Sequence, residues 1–155
     1  DRDLFQVVGE GASIVELSKG AVAGEIGPAQ VRERYGISPE LVADFIALRG
    51  DPSDGLPGAP GVGAKTAAEL LREYGSLEEL LQAARRATSG IRPRIVQALR
   101  DHTQLLLDFK RIATLVEIEL ERPSDQATDF AAGALQARAL GMVKLAERLQ
   151  ANSRA

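Results

Sequence analysis

Four aspartates stand at spacings that suit metal chemistry. Gly50-Asp51-Pro52-Ser53-Asp54-Gly55 places two acids three residues apart in a tight loop, and Asp1 and Asp3 alternate at the entry to an apolar run. Carboxylates so arranged can hold a hard cation such as Mg²⁺ or Mn²⁺ through oxygen. The same Asp-x-x-Asp spacing also serves as a solvated turn or a helix cap. Other donor sets are excluded: the chain has no cysteine and one histidine, so thiolate sites, disulfides and histidine clusters are ruled out. That histidine, His102, falls at a junction between helical segments and reads as a cap or surface group.

The stretch after the acids is Leu56-Pro57-Gly58-Ala59-Pro60-Gly61-Val62-Gly63-Ala64-Lys65-Thr66-Ala67. Two glycines flank one apolar residue just ahead of a helical pattern. Glycine leaves no side chain in the way of an approaching ligand. Val62 is expected to anchor the turn in the core. The N–H groups of Gly61, Gly63 and the first turn (Ala64, Lys65, Thr66) would then face outward at a helix N-terminus, which attracts anions. Lys65 adds positive charge, and Ala67 and Ala68 allow close helix packing. Gly-Val-Gly alone also describes an ordinary tight turn. The longer pattern resembles a helix-hairpin-helix, which grips the DNA sugar-phosphate backbone without reading sequence. It is not a nucleotide-binding P-loop, because the spacing from glycine to lysine is wrong. Acids placed beside such a hairpin are where a phosphodiesterase needs divalent cations.

These residues need elements to carry them, and 155 residues suffice for one domain with a core, or one plus the edge of another. The chain is 45% hydrophobic and 26% charged, with no apolar run near the ~20 residues of a membrane span. Its aromatic fraction of 4% is too low for a base-stacking platform. The net charge of −3 argues against nucleic acid, yet its distribution is uneven. Residues 1–63 carry 5 basic and 10 acidic groups, whereas residues 84–111 carry 7 basic and 2 acidic. Arg85, Arg86, Arg92, Arg94, Lys110 and Arg111 can line a duplex path by neutralising phosphates, or form a solvated helix face; Arg92 and Arg94 are taken as DNA-binding candidates.

Residues 4–8 and 13–18 are short apolar or β-branched runs broken by Gly9 and Gly11, and read as two strands. Helical pattern dominates thereafter: 28–35 behind Pro28, then a helix opened by Ser38-Pro39 and running to about Arg49. Residues 50–63 are a loop. Helices follow at 64–73, from a capping box at 76–79, at 90–101, 103–111, 130–139 and 142–151, with 113–121 extended. Tyr35 and Tyr74 each precede a helix-ending glycine and are read as packing residues, and Asp129 as a helix cap.

Taken in order, Asp1-Arg2-Asp3-Leu4-Phe5-Gln6, Tyr35-Gly36-Ile37, Ala47-Leu48-Arg49-Gly50-Asp51-Pro52-Ser53-Asp54, Leu56-Pro57-Gly58 and the hairpin resemble the bacterial 5′–3′ exonuclease and flap endonuclease family, which includes the nuclease domains of DNA polymerase I. The resemblance covers nearly the whole chain. It implies metal-dependent hydrolysis at 5′ ends and 5′ flaps of DNA in replication and repair. It places Asp1, Asp3, Asp51 and Asp54 at ligand positions of a two-metal site for Mg²⁺ or Mn²⁺. It also implies a K⁺ or Na⁺ at the hairpin, held by backbone carbonyls near Leu48, Pro57, Ala59 and Val62. Gly55 stands where many members carry Asn, a variation within a turn.

The expected fold is mainly α: a helical 5′-nuclease C-terminal (helix-hairpin-helix) domain over 28–155, with residues 1–27 a small β remnant at the edge of an α/β, PIN-like nuclease domain. The chain opens inside a motif without an initiator Met or signal peptide, and is expected to be a fragment that binds DNA weakly and cleaves poorly or not at all. The polar tail of residues 152–155 is what a stand-alone nuclease would carry, and a cut chain would end the same way. The protein is expected in the cytoplasm, as a monomer, off the membrane. A non-catalytic helix-hairpin-helix DNA-binding module and a purely structural helical adaptor remain the rival readings.

Overall fold

The computed structural model describes residues 2–18, 21–86 and 90–153. The expected ligand Asp1 therefore lies outside the described residues. The chain is mainly helical and divides into two compact units, Asp1–Glu117 and Ile118–Ala155.

The first unit opens with a 3₁₀ turn, Asp3–Val7, followed by strands β1 (Ile14–Ser18) and β2 (Ala21–Ile26). The strand expected over residues 4–8 is thus not formed. Its apolar residues explain why: Phe5 and Val8 are buried while Leu4 and Val7 are exposed, an i, i+3 spacing that suits a helical turn. The run 13–18 does become β1. Its partner β2, an Ala/Gly-rich segment, pairs with it antiparallel from Ile14↔Ile26 to Ser18↔Ala21, with an irregularity between Glu16 and Leu17.

Helix α1 (Pro28–Tyr35) follows, with proline at its first turn. Ser38 does not open one continuous helix. Leu41 N–H bonds to the Ser38 carbonyl in a tight 3₁₀ turn, Pro39–Leu41, before helix α2 (Val42–Arg49) begins. Every α2 residue from Val42 to Leu48 is buried, including Asp44. This helix forms the middle of the core. Helices α3 (Ala64–Tyr74) and α6 (Thr103–Ala113) pack against it, and α4 (Leu77–Arg85) and α5 (Pro93–Asp101) pack in turn against these and each other. They pack through Leu71, Leu77, Leu80, Leu99 and Leu106, all fully buried. Ser76 caps α4 by accepting the Glu79 N–H, as its capping-box sequence demands.

Tyr35 packs between Phe5 and Phe45, with ring centroids 5.8 and 5.3 Å away. His102 sets Nδ1 3.0 Å from the Ala98 carbonyl at the α5–α6 junction, a helix-end role. The second unit contains α7 (Phe130–Ala139) and α8 (Val143–Asn152), packed against each other through Ala134, Ala137 and Ala146. Asp129 caps α7 by accepting the Ala132 N–H at 2.8 Å. The segment between α6 and α7 carries no strand among the described residues. No helix among them is long and apolar enough to cross a membrane.

Candidate functional site

Helix α2 feeds directly into the acidic loop, and two glycines close the loop's base. Gly50 (φ +83°) and Gly58 (φ +70°) lie in the left-handed region, and each backbone passes hard against the other's segment. A Cβ on Gly50 would sit 2.6 Å from the Leu56 carbonyl oxygen, and one on Gly58 would sit 2.7 Å from that of Leu48. No other residue fits there. Asp51 and Leu56 exchange backbone hydrogen bonds of 2.8 Å, and the Asp54 N–H returns to the Asp51 carbonyl at 3.2 Å. Residues 51–56 are thereby folded into a closed turn that turns two carboxylates to one side.

The 3₁₀ turn of residues 3–7 brings Asp3 to the same place. One carboxylate oxygen from each of Asp3, Asp51 and Asp54 lies within 4.8 Å of the other two. Their environments differ. Burial pushes the Asp3 carboxyl above its ordinary value, and the charges of Asp54 and Asp51 push it further. Its Oδ1 is buried with no hydrogen-bond partner. Asp51 is held below its ordinary value, because the Ser53 hydroxyl and N–H both donate to Oδ1. A preorganised anion, like-charged neighbours and a buried oxygen without a protein partner are a donor set that suits a hard cation. The residues present fit a divalent cation.

The hairpin continues from the same loop. Val62 is buried as expected, and Gly61 and Gly63 are exposed on either side of it. Gly63 precedes α3 without a side-chain cap. Among the described residues, the N–H groups of Gly63, Ala64, Lys65 and Thr66 meet no acceptor, so the helix start presents free donors. Lys65 is exposed beside them, while Ala67 and Ala68 are buried and allow the helices to approach. Of the four carbonyls implied for a monovalent cation, that of Leu48 accepts the Ala59 N–H at 2.8 Å and that of Ala59 accepts the Val62 N–H at 3.0 Å.

Arg92 and Arg94 are exposed at the start of α5. Lys110, one of the basic residues that could line a duplex path or a solvated face, is half-buried and engaged by acids. Its Nζ donates to Asp44 at 2.8 Å and to Glu78 at 2.7 Å. Burial alone would lower the Lys110 pKa, but Asp44 and Glu78 outweigh it and raise the value. Asp44 also accepts the Leu77 N–H at 2.7 Å, at the start of α4. Sequence reasoning passed over Asp44, although one acid inside the apolar run Val-Ala-Asp-Phe-Ile-Ala-Leu was a visible signal. It read Gln6 only as part of the Asp1–Gln6 motif and assigned no role to its side chain, which bonds to residues more than a hundred positions away.

Residues 37–133 match the family described as 5′-3′ exonuclease, C-terminal SAM fold. The chain is 41% identical over 138 residues to a 5′-3′ exonuclease of Mycobacterium tuberculosis, a match covering 81% of this chain and 43% of that protein. It is 40% identical over 121 residues to the thermostable DNA polymerase I of Thermus filiformis, covering 78% of this chain and 14% of that one. The chain thus spans less than half the length of these relatives. A solved T5 5′-exonuclease with bound divalent metal ions (zinc) shares the fold at a TM-score of 0.61, with 20% identity over 73% of this chain and 40% of that chain. With a family match across most of its helical core and relatives near 40% identity, the chain belongs to the 5′–3′ exonuclease family and carries its C-terminal SAM fold.

Proposed function

We propose that this chain forms part of a structure-specific nuclease that hydrolyses DNA phosphodiesters near 5′ ends and flaps with two divalent cations. In this reading its hairpin grips the DNA backbone and its acids supply part of the metal ligand set. The observation that carries it is the convergence of Asp3, Asp51 and Asp54 within 4.8 Å, with a partnerless buried oxygen on Asp3, on the loop that leads into the hairpin. Asp1 completes the set by its place in the Asp1-Arg2-Asp3 motif. When bound, Mg²⁺ or Mn²⁺ supplies an activated water and neutralises charge on the leaving oxygen.

The chain's own residues do the rest. Ser53 keeps Asp51 ionised, so that ligand is ready without reorganisation. The free N–H groups from Gly63 to Thr66 and the Lys65 ammonium take a phosphate of the duplex, fixing the strand without reading its sequence. Gly61 lets the backbone approach, and Arg92 and Arg94 extend the phosphate contacts. A K⁺ or Na⁺ would be held by the carbonyls of Leu48, Pro57, Ala59 and Val62, of which those of Leu48 and Ala59 already accept N–H groups, and would add positive charge for a phosphate. The relatives named as exonucleases and DNA polymerases support a role in replication and repair. Isolated, the 155 residues are expected to bind DNA weakly and to cleave it poorly or not at all.

The test is Mg²⁺-dependent cleavage of a 5′-flap duplex by the full-length protein and by its Asp51→Ala/Asp54→Ala variant, with DNA binding measured in parallel. Cleavage that falls to background in the variant while the duplex is still bound is the expected result. Equal cleavage by both would remove Asp51 and Asp54 from the site. A full-length protein that binds but never cuts would leave a non-catalytic helix-hairpin-helix module as the better account.

A further inference from the structure

Asp3 and the Asp51–Asp54 loop come from segments almost fifty residues apart, and something must set their register. Phe5 anchors the 3₁₀ turn by burial, without a hydrogen bond from its side chain. Its ring is buried against Tyr35, but an apolar contact has no direction and tolerates sliding. The directional contacts come from Gln6. Its Nε2 donates to the Asp3 carbonyl at 2.8 Å and to the Ala113 carbonyl at 2.9 Å, and its Oε1 accepts the Leu115 N–H at 2.8 Å.

The orientation of the amide is dictated by its partners. Two carbonyls face the nitrogen and one N–H faces the oxygen, and the flipped amide would set an acceptor against two acceptors. One side chain thus bonds both to the backbone of Asp3 and to the end of α6. Helix α6 is in turn tied to α2 through Lys110 and Asp44, and α2 runs straight into Gly50 and Asp51. The Gln6 amide closes a loop of contacts with Asp3 at one end and Asp51 at the other.

We propose that Gln6 is a positioning residue for the carboxylate site: its amide fastens the turn bearing Asp3 to the end of α6 and so holds the Asp3 carboxylate against Asp51 and Asp54. It touches neither metal nor DNA and acts through Asp3. The inference rests on the metal reading of the three acids. Outer residues that orient ligands typically change metal affinity by about 10- to 100-fold when removed.

The measurement is Mn²⁺ affinity of the full-length protein, read from loss of the free-ion signal in electron paramagnetic resonance, with thermal unfolding followed without metal. Gln6→Met keeps the length and apolar stem and deletes all three hydrogen bonds; Gln6→Ala is its companion. Both are expected to weaken Mn²⁺ binding by about 10-fold or more while still unfolding cooperatively. Ile95→Val, a methyl group removed from the core on α5, is the stability control: it lowers the unfolding temperature and leaves Mn²⁺ affinity unchanged. Asp51→Ala/Asp54→Ala tests the underlying site. Gln6 variants that lose thermal stability but bind Mn²⁺ like the unsubstituted chain would overturn the positioning role. Mn²⁺ binding indifferent to Asp51→Ala/Asp54→Ala would overturn the metal reading itself, whatever Gln6 does.

Discussion

Two acidic clusters lie at opposite ends of helix α2, and they are built in opposite ways. Inside the core, Asp44 is 3% exposed, yet it accepts the Leu77 N–H and the Lys110 ammonium, which in turn meets Glu78. At the helix's end, Asp3, Asp51 and Asp54 converge with no basic side chain paired to them among the described ion pairs, and Asp3 keeps a buried oxygen without a partner. The first cluster is complete as protein. The second has no such countercharge among the described residues, and the proposed divalent cation would supply it. A cluster of acids by itself therefore says little about function; what separates the two is whether the fold supplies the countercharge.

The contrast is broken most sharply by removing the countercharge where it exists. Lys110→Ala leaves Asp44 buried with one N–H and should cost about 3–5 kcal/mol in urea unfolding. The double replacement Asp44→Leu/Lys110→Met should recover most of that loss, since apolar groups of similar volume need no partner. A loss below about 1 kcal/mol for Lys110→Ala would mean that water reaches Asp44, and that the core cluster resembles the Asp3–Asp51–Asp54 cluster after all.

A smaller effect of opposite sign is expected at the other end. Asp3→Asn removes one of three like charges and should raise the unfolding temperature of the metal-free chain by about 2–4 °C, the shift that roughly 1 kcal/mol produces at this size. The same variant should lose the stabilisation that added Mn²⁺ gives the unsubstituted chain. A lower unfolding temperature for Asp3→Asn without metal would show that the carboxylate is already satisfied.

The smallest effect is in the pH profile, and it sharpens the comparison by sign. Asp3 has a raised pKa, so its charge opposes folding above its folded value, and that penalty is relieved as pH falls through it. In Glu78 burial acts to raise the pKa, but Lys110 holds it below 4.5; its contribution is present above that value and fades as pH falls through the lowered one. The Lys110 value is raised, so its contribution is full below 10.5 and is lost only as pH rises beyond it. Between pH 5 and 3, Asp3→Asn should therefore flatten the metal-free stability curve at the site, while Glu78→Gln removes an acid-labile contribution. Parallel curves for both variants would contradict the division.

The sequence made the helices legible because their signals are local. Pro28 marks a helix start by its fixed φ, and the Ser76 capping box and Asp129 do so through bonds within one turn; the observed helices begin there. The front of the chain was read less well. Residues 4–8 look β-like by composition, but the core takes only Phe5 and Val8; β2 is poor in strand formers and exists because β1 lies beside it. Lys110 looked like one more surface cation until a partner 66 residues away in sequence claimed it.

By itself, then, the sequence determined which residue types were available: oxygen donors without thiols, a glycine-flanked hairpin ahead of a helix, and caps that start α1, α4 and α7. Those properties are fixed by neighbours within a few residues, so they can be read along the chain. Tertiary structure alone decided which acids meet. Asp3 reaches Asp51 and Asp54 through a turn held by Phe5 and Gln6, and Asp44 is neutralised by a helix far away in sequence. Both outcomes depend on long-range packing and on hydrogen bonds whose partners no local pattern names.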